Sequence, residues 1–307
     1  MTVKNENYLK ELISKIQLNE TDNVKSVLKK ANKNNIILDT NRILINMNGA
    51  NIIFCPFLEA VKNNNLSMIE LLIDYVDNNN LIINVNEKNM EFESPFLLSL
   101  KSQKMVEILI DYSNRHNILL NINDKDKSGN NVLLLLINRN KKYVNKFLST
   151  YLINIIHMLI DYANDHNIIM NINEKNENGI NPLSLAIIEN NINIISILID
   201  YANLHNMILN INEKSENIDS PILLAIKSND IEIVQMLINY ANIHHIILNI
   251  TNDDLKFIHK INVDILELLS KYVNEHDINL NIMDYRLYNN YNKIKGNIFI
   301  NIYIYKL

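Results

Sequence analysis

The stretch NPLSLAIIENNINIISILIDYANLHNMILNIN, Asn181 to Asn212, decides the architecture. Pro182 opens a short apolar segment, PLSLAII, that ends near Asn190. Proline suits a first helical position, where its missing N–H is not needed. Asn181 before it is placed to cap the helix. A longer segment follows, from Ile192 to His205. Ile194, Ile195, Leu198 and Ile199 recur at helical spacing, and Ile197 widens the stripe. A helix apolar over so much of its surface must be covered on more than one side. Met207 to Asn212 then reads as extended. The unit is helix, turn, helix, extended arm. Alone it cannot bury its apolar faces; stacked on copies of itself it can.

Copies exist along the chain. Aligned on Tyr201, the same position reads Tyr75, Tyr112, Tyr162, Tyr240 and Tyr272, with Lys30 in a weaker first copy. Three residues earlier stand Val27, Leu72, Leu109, Leu159, Leu198, Leu237 and Leu269. The modal step is 39 residues, as from Tyr162 to Tyr201 and from Tyr201 to Tyr240. Departures from it are local. Extra residues fall between Asn41 and Pro56 and from Asn138 to about Leu152. The turn at Lys101 to Lys104 is short, and most of a first helix is lost around Asp254 to Lys260. Insertions at loops leave stacked helices in phase. The organisation expected is therefore a capping repeat over 1–41, a repeat array over 42–283, and a tail over 284–307. The tail alternates apolar and polar residues from Ile298 and reads as a strand or a disordered segment.

These units resemble the ankyrin repeat. The family's Thr-Pro-Leu-His-x-Ala start is matched by CPFLEA (Cys55 to Ala60), SPFLLS (Ser94 to Ser99), NNVLLL (Asn131 to Leu136), NPLSLA (Asn181 to Ala186) and SPILLA (Ser220 to Ala225). The second helix is matched by MIELLI, MVEILI, IIHMLI, IISILI and IVQMLI, and the arm by Asn-Val-Asn or Asn-Ile-Asn. The resemblance covers roughly Tyr8 to Asn281. It implies an all-α, ankyrin-like α-solenoid of stacked helix-turn-helix units joined by extended arms. Two departures stand out. The family's first-helix His is missing from every copy. The Gly that ends the second helix is replaced by Ala163, Ala202 and Ala241, or by Val76, Ser113 and Val273. Without that Gly the helix need not stop there. The second helix is expected to run to about His205, with the arm extended through Asn212.

Composition narrows the function. The chain has 307 residues, is 48% hydrophobic and carries a net charge of -5. That supports a large core and argues against a general nucleic-acid binder. One cysteine, Cys55, excludes an intrachain disulfide and a Cys-rich metal site, and is expected to be a buried small hydrophobe. MTVKNENYLK reads as no secretory signal, and the longest apolar run, Val132 to Ile137, is too short to span a bilayer. The expectation is a cytoplasmic protein off the membrane, monomeric and without a cofactor. With four glycines and four prolines, turns fall to asparagine, which tolerates the left-handed region. Runs such as Asn78 to Asn80 read as loop filler.

No phosphate loop, HExxH, GxSxG or paired-Cys motif is present. His116, His166, His205, His244 and His276 form a column four residues after the Tyr position. Packed helices lie about 8–10 Å apart, so the column does not converge on one ion. A place near a helix C-terminus, where the dipole favours a cation, accounts for it. Catalysis and metal binding are not expected.

In arrays of the family, partners lie on the concave face, made of arm tips and the exposed ends of the first helices. Carried over by position, the implied contacts are Lys62 and Asn63, Lys101 and Ser102, Asn138 and Arg139, Ile188 and Glu189, and Lys227 and Ser228. Tip positions include Glu91, Glu93 and Asp219. The four cations suggest a groove for an acidic protein segment. The function expected is a non-catalytic protein–protein interaction scaffold. The alternative is a regulatory or substrate-recruiting subunit of an enzyme complex.

Overall fold

The computed structural model describes residues 3–41, 43–47, 50–139, 146–251, 254, 261–276 and 278. Among them the order is α1 (Val3–Gln17), α2 (Thr21–Lys33), β1 (Ile43–Met47), β2 (Ala50–Phe54), α3 (Pro56–Lys62), α4 (Leu66–Asn78), α5 (Pro95–Ser99), α6 (Gln103–His116), α7 (Val132–Arg139), α8 (Lys146–Asp165), α9 (Pro182–Ile188), α10 (Ile192–Leu204), α11 (Pro221–Ser228), α12 (Ile231–Ile243) and α13 (Val263–Glu275). From α3 to α12 short and long helices alternate, as the repeat requires, and the fold is an all-α helix-turn-helix solenoid with one small hairpin among the described residues. Two compact units divide it. One is Met1–Lys127 with Asn154–Met170; the other is Ser128–Ile153 with Asn171–Leu307.

Burial drives the stacking. In α9 every residue from Pro182 to Ile187 is buried, and α9 packs against α7 and α11. In α10, Ile194, Ile195, Leu198, Tyr201 and Ala202 are buried, and α10 packs against α9 and α12. In the other unit α3 packs against α5, and α2 against α4. Each fully buried Leu or Ile is worth about 1.5–3 kcal/mol. Exposed ion pairs, at about 0–1 kcal/mol, are secondary.

Asparagine sets where the helices start and stop. Asn65, Asn181 and Asn191 cap their helices by accepting from the N–H groups of Met68, Ser184 and Ile194 at 2.9, 2.7 and 3.2 Å. Just before the second helices, Asn64, Asn190 and Asn229 take left-handed φ values of 54°, 51° and 62° and turn the chain. After those helices, Asn80, Asn117, Asn167 and Asn206 do the same at 54°, 54°, 55° and 52°. Beyond Asn206, the Met207 N–H bonds back to the Ala202 carbonyl at 2.8 Å, and the Asn206 N–H to that of Asn203 at 3.3 Å. This six-to-one closure is the helix stop that glycine usually makes. It recurs at Leu81, Ile118, Ile168 and Ile246. The stop has moved rather than vanished: α10 ends at Leu204 with His205 as its cap, as the missing glycine implied.

Four features differ from or add to the sequence expectation. The long insertion after α7 is partly helical, because α8 begins at Lys146 and runs 20 residues. The extra residues before Pro56 form an antiparallel hairpin, with Ile43 opposite Phe54 and Met47 opposite Ala50. Cys55 is half-buried at the N-cap of α3, not in the core. Asn runs read as filler prove to be caps and left-handed turns. The lost first helix at Asp254 to Lys260, apart from Asp254, and the tail over 284–307 lie outside the described residues.

Candidate functional site

The arms and the finger loops behave differently. In the arms, side chains are spent on the backbone of the neighbouring repeat. The hydroxyl of Tyr75 accepts the Leu38 N–H at 2.8 Å, and that of Tyr112 accepts the Ile83 N–H at 2.8 Å. Tyr162 does the same for Leu120, Tyr240 for Leu209 and Tyr272 for Leu248, at 2.9, 2.9 and 3.2 Å. Tyr272 also donates to the Ile246 carbonyl at 2.8 Å. Burial pushes these phenols above their ordinary pKa, and the bonds from the arm N–H groups only partly offset it. They remain neutral, with a hydroxyl able to accept and donate at once.

A second row runs beside the first. Asn41 donates to the Ile82 carbonyl at 2.6 Å and accepts the Asn84 N–H at 2.9 Å. Asn86 does so with Leu119 and Asn121 at 2.6 and 3.0 Å, and Asn212 with Ile247 and Asn249 at 2.7 and 2.9 Å. One amide thus bonds to the two peptide groups that flank a single residue of the next arm, Ile83, Leu120 or Leu248. The histidine column stacks on the tyrosines one helical turn back, with ring centroids 4.1 to 4.3 Å apart from Tyr112–His116 to Tyr272–His276. His166 and His276 also place Nδ1 2.9 Å from the carbonyls of Tyr162 and Tyr272. Their place at the helix C-termini is the one the spacing implied.

The ten implied contact residues all fall at or just beyond the ends of first helices. Lys62 ends α3 and Asn63 caps it. Lys101 and Ser102 lie between α5 and α6, with Ser102 at the N-cap of α6. Asn138 and Arg139 end α7. Ile188 ends α9, and Glu189 caps it. Lys227 and Ser228 end α11. Lysine or arginine in a last turn is favoured by the helix dipole, so structure alone accounts for three of the four cations. Two of them are also held by the chain's own carboxylates. Lys62 lies 3.2 Å from Glu93 and 3.5 Å from Glu91, and Lys227 pairs with Asp219. The Glu93 contact raises the Lys62 pKa. Burial pushes the Glu93 carboxyl up, but hydrogen bonds from Asn89 and Lys62 outweigh it and leave it below its ordinary value. Burial pulls the Arg139 guanidinium below its own. The cationic strip expected for an acidic segment therefore loses Lys62 and Lys227 to internal pairs.

Those pairs tie helix ends to fingers, and two of the fingers turn on an asparagine. The Asn89 side chain accepts the N–H groups of Glu91 and Glu93, both at 2.9 Å. Asn176 accepts those of Asn178 and Ile180, both at 3.0 Å. Between adjacent fingers Lys88 reaches Asp124 at 2.5 Å and Lys175 reaches Glu213 at 2.7 Å. Lys214 pairs with Asp254 in the same way. Each of these lysines is the second residue of a Glu-Lys pair, and each bridges one repeat to the next. Sequence reasoning missed one residue here. Phe92 has a φ of 60°, at the position where the following fingers carry Gly129 and Gly179 with φ of 74° and 76°.

Among the described residues no group of three or more His, Cys, Asp or Glu is placed to hold a metal ion. Among them, too, no helix is long and apolar enough to cross a membrane. What the geometry defines is a stack locked by side chain to backbone bonds, with finger tips and helix ends left to vary.

Stacks of this kind define a class, and comparison with known proteins shows what the chain is similar to. Residues 148–249 match the family described as ankyrin repeats (3 copies). The solved structure of EF0377, an ankyrin repeat protein, superposes with a TM-score of 0.50 at 18% identity, over 74% of this chain and 96% of that one. The ankyrin repeat domain of Bcl-3, a unique member of the IkappaB protein family, gives a TM-score of 0.46 at 16% identity, over 72% and 86%. No curated protein sequence matches the chain. The matched segment and the shared fold support an ankyrin-repeat protein. Repeats of this family are generally protein–protein interaction modules without catalytic activity.

Proposed function

We propose that this chain is a non-catalytic scaffold that binds a protein partner on the face formed by its finger tips and first-helix ends. The observation that carries this is the division of labour among its side chains. Tyr and Asn fix the arms through backbone contacts that any neighbouring repeat can supply. The fingers and helix ends hold charges and apolar groups that differ from copy to copy. One unit offers Lys62, Asn63, Lys101 and Ser102 at its helix ends, and the other offers Asn138, Arg139, Ile188, Glu189, Lys227 and Ser228. They act as a rim of paired charge that steers a partner rather than as a bare cationic strip. The protein works as a monomer in the cytoplasm, with a protein rather than a nucleic acid as its target.

Affinity capture with mass spectrometry tests the reading, with wild type beside a K101E/K227E variant. Recurrent partners lost or weakened in the variant support it. Capture unchanged by the variant moves the contact off these helix ends. A catalytic chain among the recurrent partners turns the scaffold into a regulatory or substrate-recruiting subunit. Binding only to nucleic acid, with steep salt dependence, overturns the reading.

A further inference from the structure

The finger from Glu87 to Glu93 carries an aromatic side chain where the backbone asks for glycine. Phe92 sits at φ 60°. A bulky residue in the left-handed region is a genuine outlier, and such strain persists only when its surroundings fix it. They do so here. Asn89 accepts two N–H groups of the turn, its own N–H donates to the Glu93 carbonyl at 2.9 Å, and the Phe92 N–H donates to the Asn89 carbonyl at 3.1 Å. Lys62 clamps Glu93 from below the finger. The turn is the one that Asn176 builds with Gly179, so nothing in its hydrogen bonding calls for an aromatic ring.

The core does not call for it either. Phe92 is 51% exposed, and Met90 beside it is 91% exposed, the highest value among the exposed large hydrophobic side chains described. Two apolar side chains, two residues apart, are thus held out in solvent on one hydrogen-bonded turn. Rigid, pre-positioned aromatic groups bind at low entropic cost and are the usual energetic anchors of interfaces. The surrounding charge indicates the partner. The tip Glu87-Lys88-Asn89-Met90-Glu91-Phe92-Glu93 holds three carboxylates and one lysine; with Lys62 paired to Glu93 and Glu91, and Asp124 to Lys88, the finger stays net acidic, and the Glu91 side chain is 70% exposed. The Lys88 ammonium lies 5.9 Å from the centre of the Phe92 ring, so the ring already receives a cation.

We infer that this finger is a docking anchor, with Phe92 and Met90 entering an apolar pocket of a protein partner that surrounds the pocket with lysine or arginine. The inference rests on the proposed scaffold function and names the partner chemistry at one point of the same face.

The test uses the full chain and two immobilised sets of short random peptides with equal apolar content. One set is charged only by Lys and Arg, the other only by Asp and Glu. Wild type is expected to retain the basic set over the acidic one. An F92G/M90S variant, which changes no charge, is expected to lose that retention at least about tenfold, as removal of a buried aromatic anchor does. Its helical circular dichroism is expected to stay intact, since glycine is at ease at this φ. Retention of basic peptides by both proteins alike is binding by charge alone, and it overturns the anchor while leaving the scaffold reading in place. A preference for the acidic set also overturns the anchor. Retention of neither set by wild type overturns the anchor and leaves the scaffold reading to stand or fall on the capture experiment.

Discussion

The fingers at Asn89 to Glu93 and at Asn176 to Ile180 share one hydrogen-bonding plan and use it for different ends. In each, an asparagine side chain accepts from residues two and four further on, and the fourth residue of the turn is left-handed. In the second finger that residue is Gly179. A Cβ there would stand 2.6 Å from the Cβ of Ser215, whose hydroxyl donates to the Gly179 carbonyl at 2.7 Å. The next finger is packed directly against it. In the first finger the residue is Phe92, half exposed. Glycine thus serves close stacking of finger on finger, and phenylalanine serves presentation to solvent. The hydrogen-bonded turn supports either, so the residue at that one position decides whether a finger is closed inward or displayed.

The sharpest way to break the comparison is to exchange the roles. Gly179→Phe is expected to destabilise its unit by about 2–4 kcal/mol, combining an unfavourable φ with overpacking against Ser215. Denaturant unfolding followed by circular dichroism measures it. A change below about 0.5 kcal/mol, the noise level of an ordinary surface substitution, would mean that the Gly179 finger is as free as the Phe92 finger, and the contrast would fail.

The arms offer a second comparison, because their locks are repeated rather than varied. Tyr112→Phe removes one hydroxyl and leaves the buried Ile83 N–H without its acceptor. An orphaned buried donor costs about 1–3 kcal/mol. The effect is expected to be local, as repeat arrays are stabilised by nearest-neighbour contacts. Hydrogen exchange at Ile83 should accelerate, while Leu209, held by Tyr240, keeps its protection. Equal loss of protection at both amides would show that the arms melt as one body and are not locked repeat by repeat.

How much of this was legible in the sequence follows from the range of each interaction. The repeat, its helices and the shift of the helix stop to His205 came from local periodicity and a missing glycine. The residue that makes the stop was in register as well, since Asn80, Asn117, Asn167 and Asn206 each stand five places after the tyrosine. Asparagine was so common that this row read as filler. The hairpin also had a signal in Asn48-Gly49 between two alternating apolar runs. The target of the tyrosine hydroxyl was not legible: Tyr162 bonds to an amide 42 residues away, in the preceding arm, which spacing within one repeat cannot indicate. The same limit applies to the candidate site. Position could place Lys62 and Lys227 on helix ends, but not show that Glu93 and Asp219 return to neutralise them. Phe92 was legible in principle, through its alignment with Gly129 and Gly179, once the finger was treated as part of the repeat.

The smallest expected effect is the most discriminating for the finger. Phe92→Gly places at φ 60° the residue that region suits, and it removes half-exposed apolar surface rather than core. Relief of left-handed strain, worth about 1–3 kcal/mol, is opposed by the added freedom of glycine in the unfolded chain, worth about 0.4–1 kcal/mol. Loss of the covered half of the ring, worth about 1 kcal/mol, opposes it as well, so the net change is expected to be a gain in stability of about 1 kcal/mol or less, read as a small rise in the midpoint of denaturant unfolding. A loss of 1 kcal/mol or more would mean that the Phe92 ring is held by contacts that stabilise the fold. The finger would then be a packed element like that of Gly179, and the distinction between displayed and closed fingers would disappear.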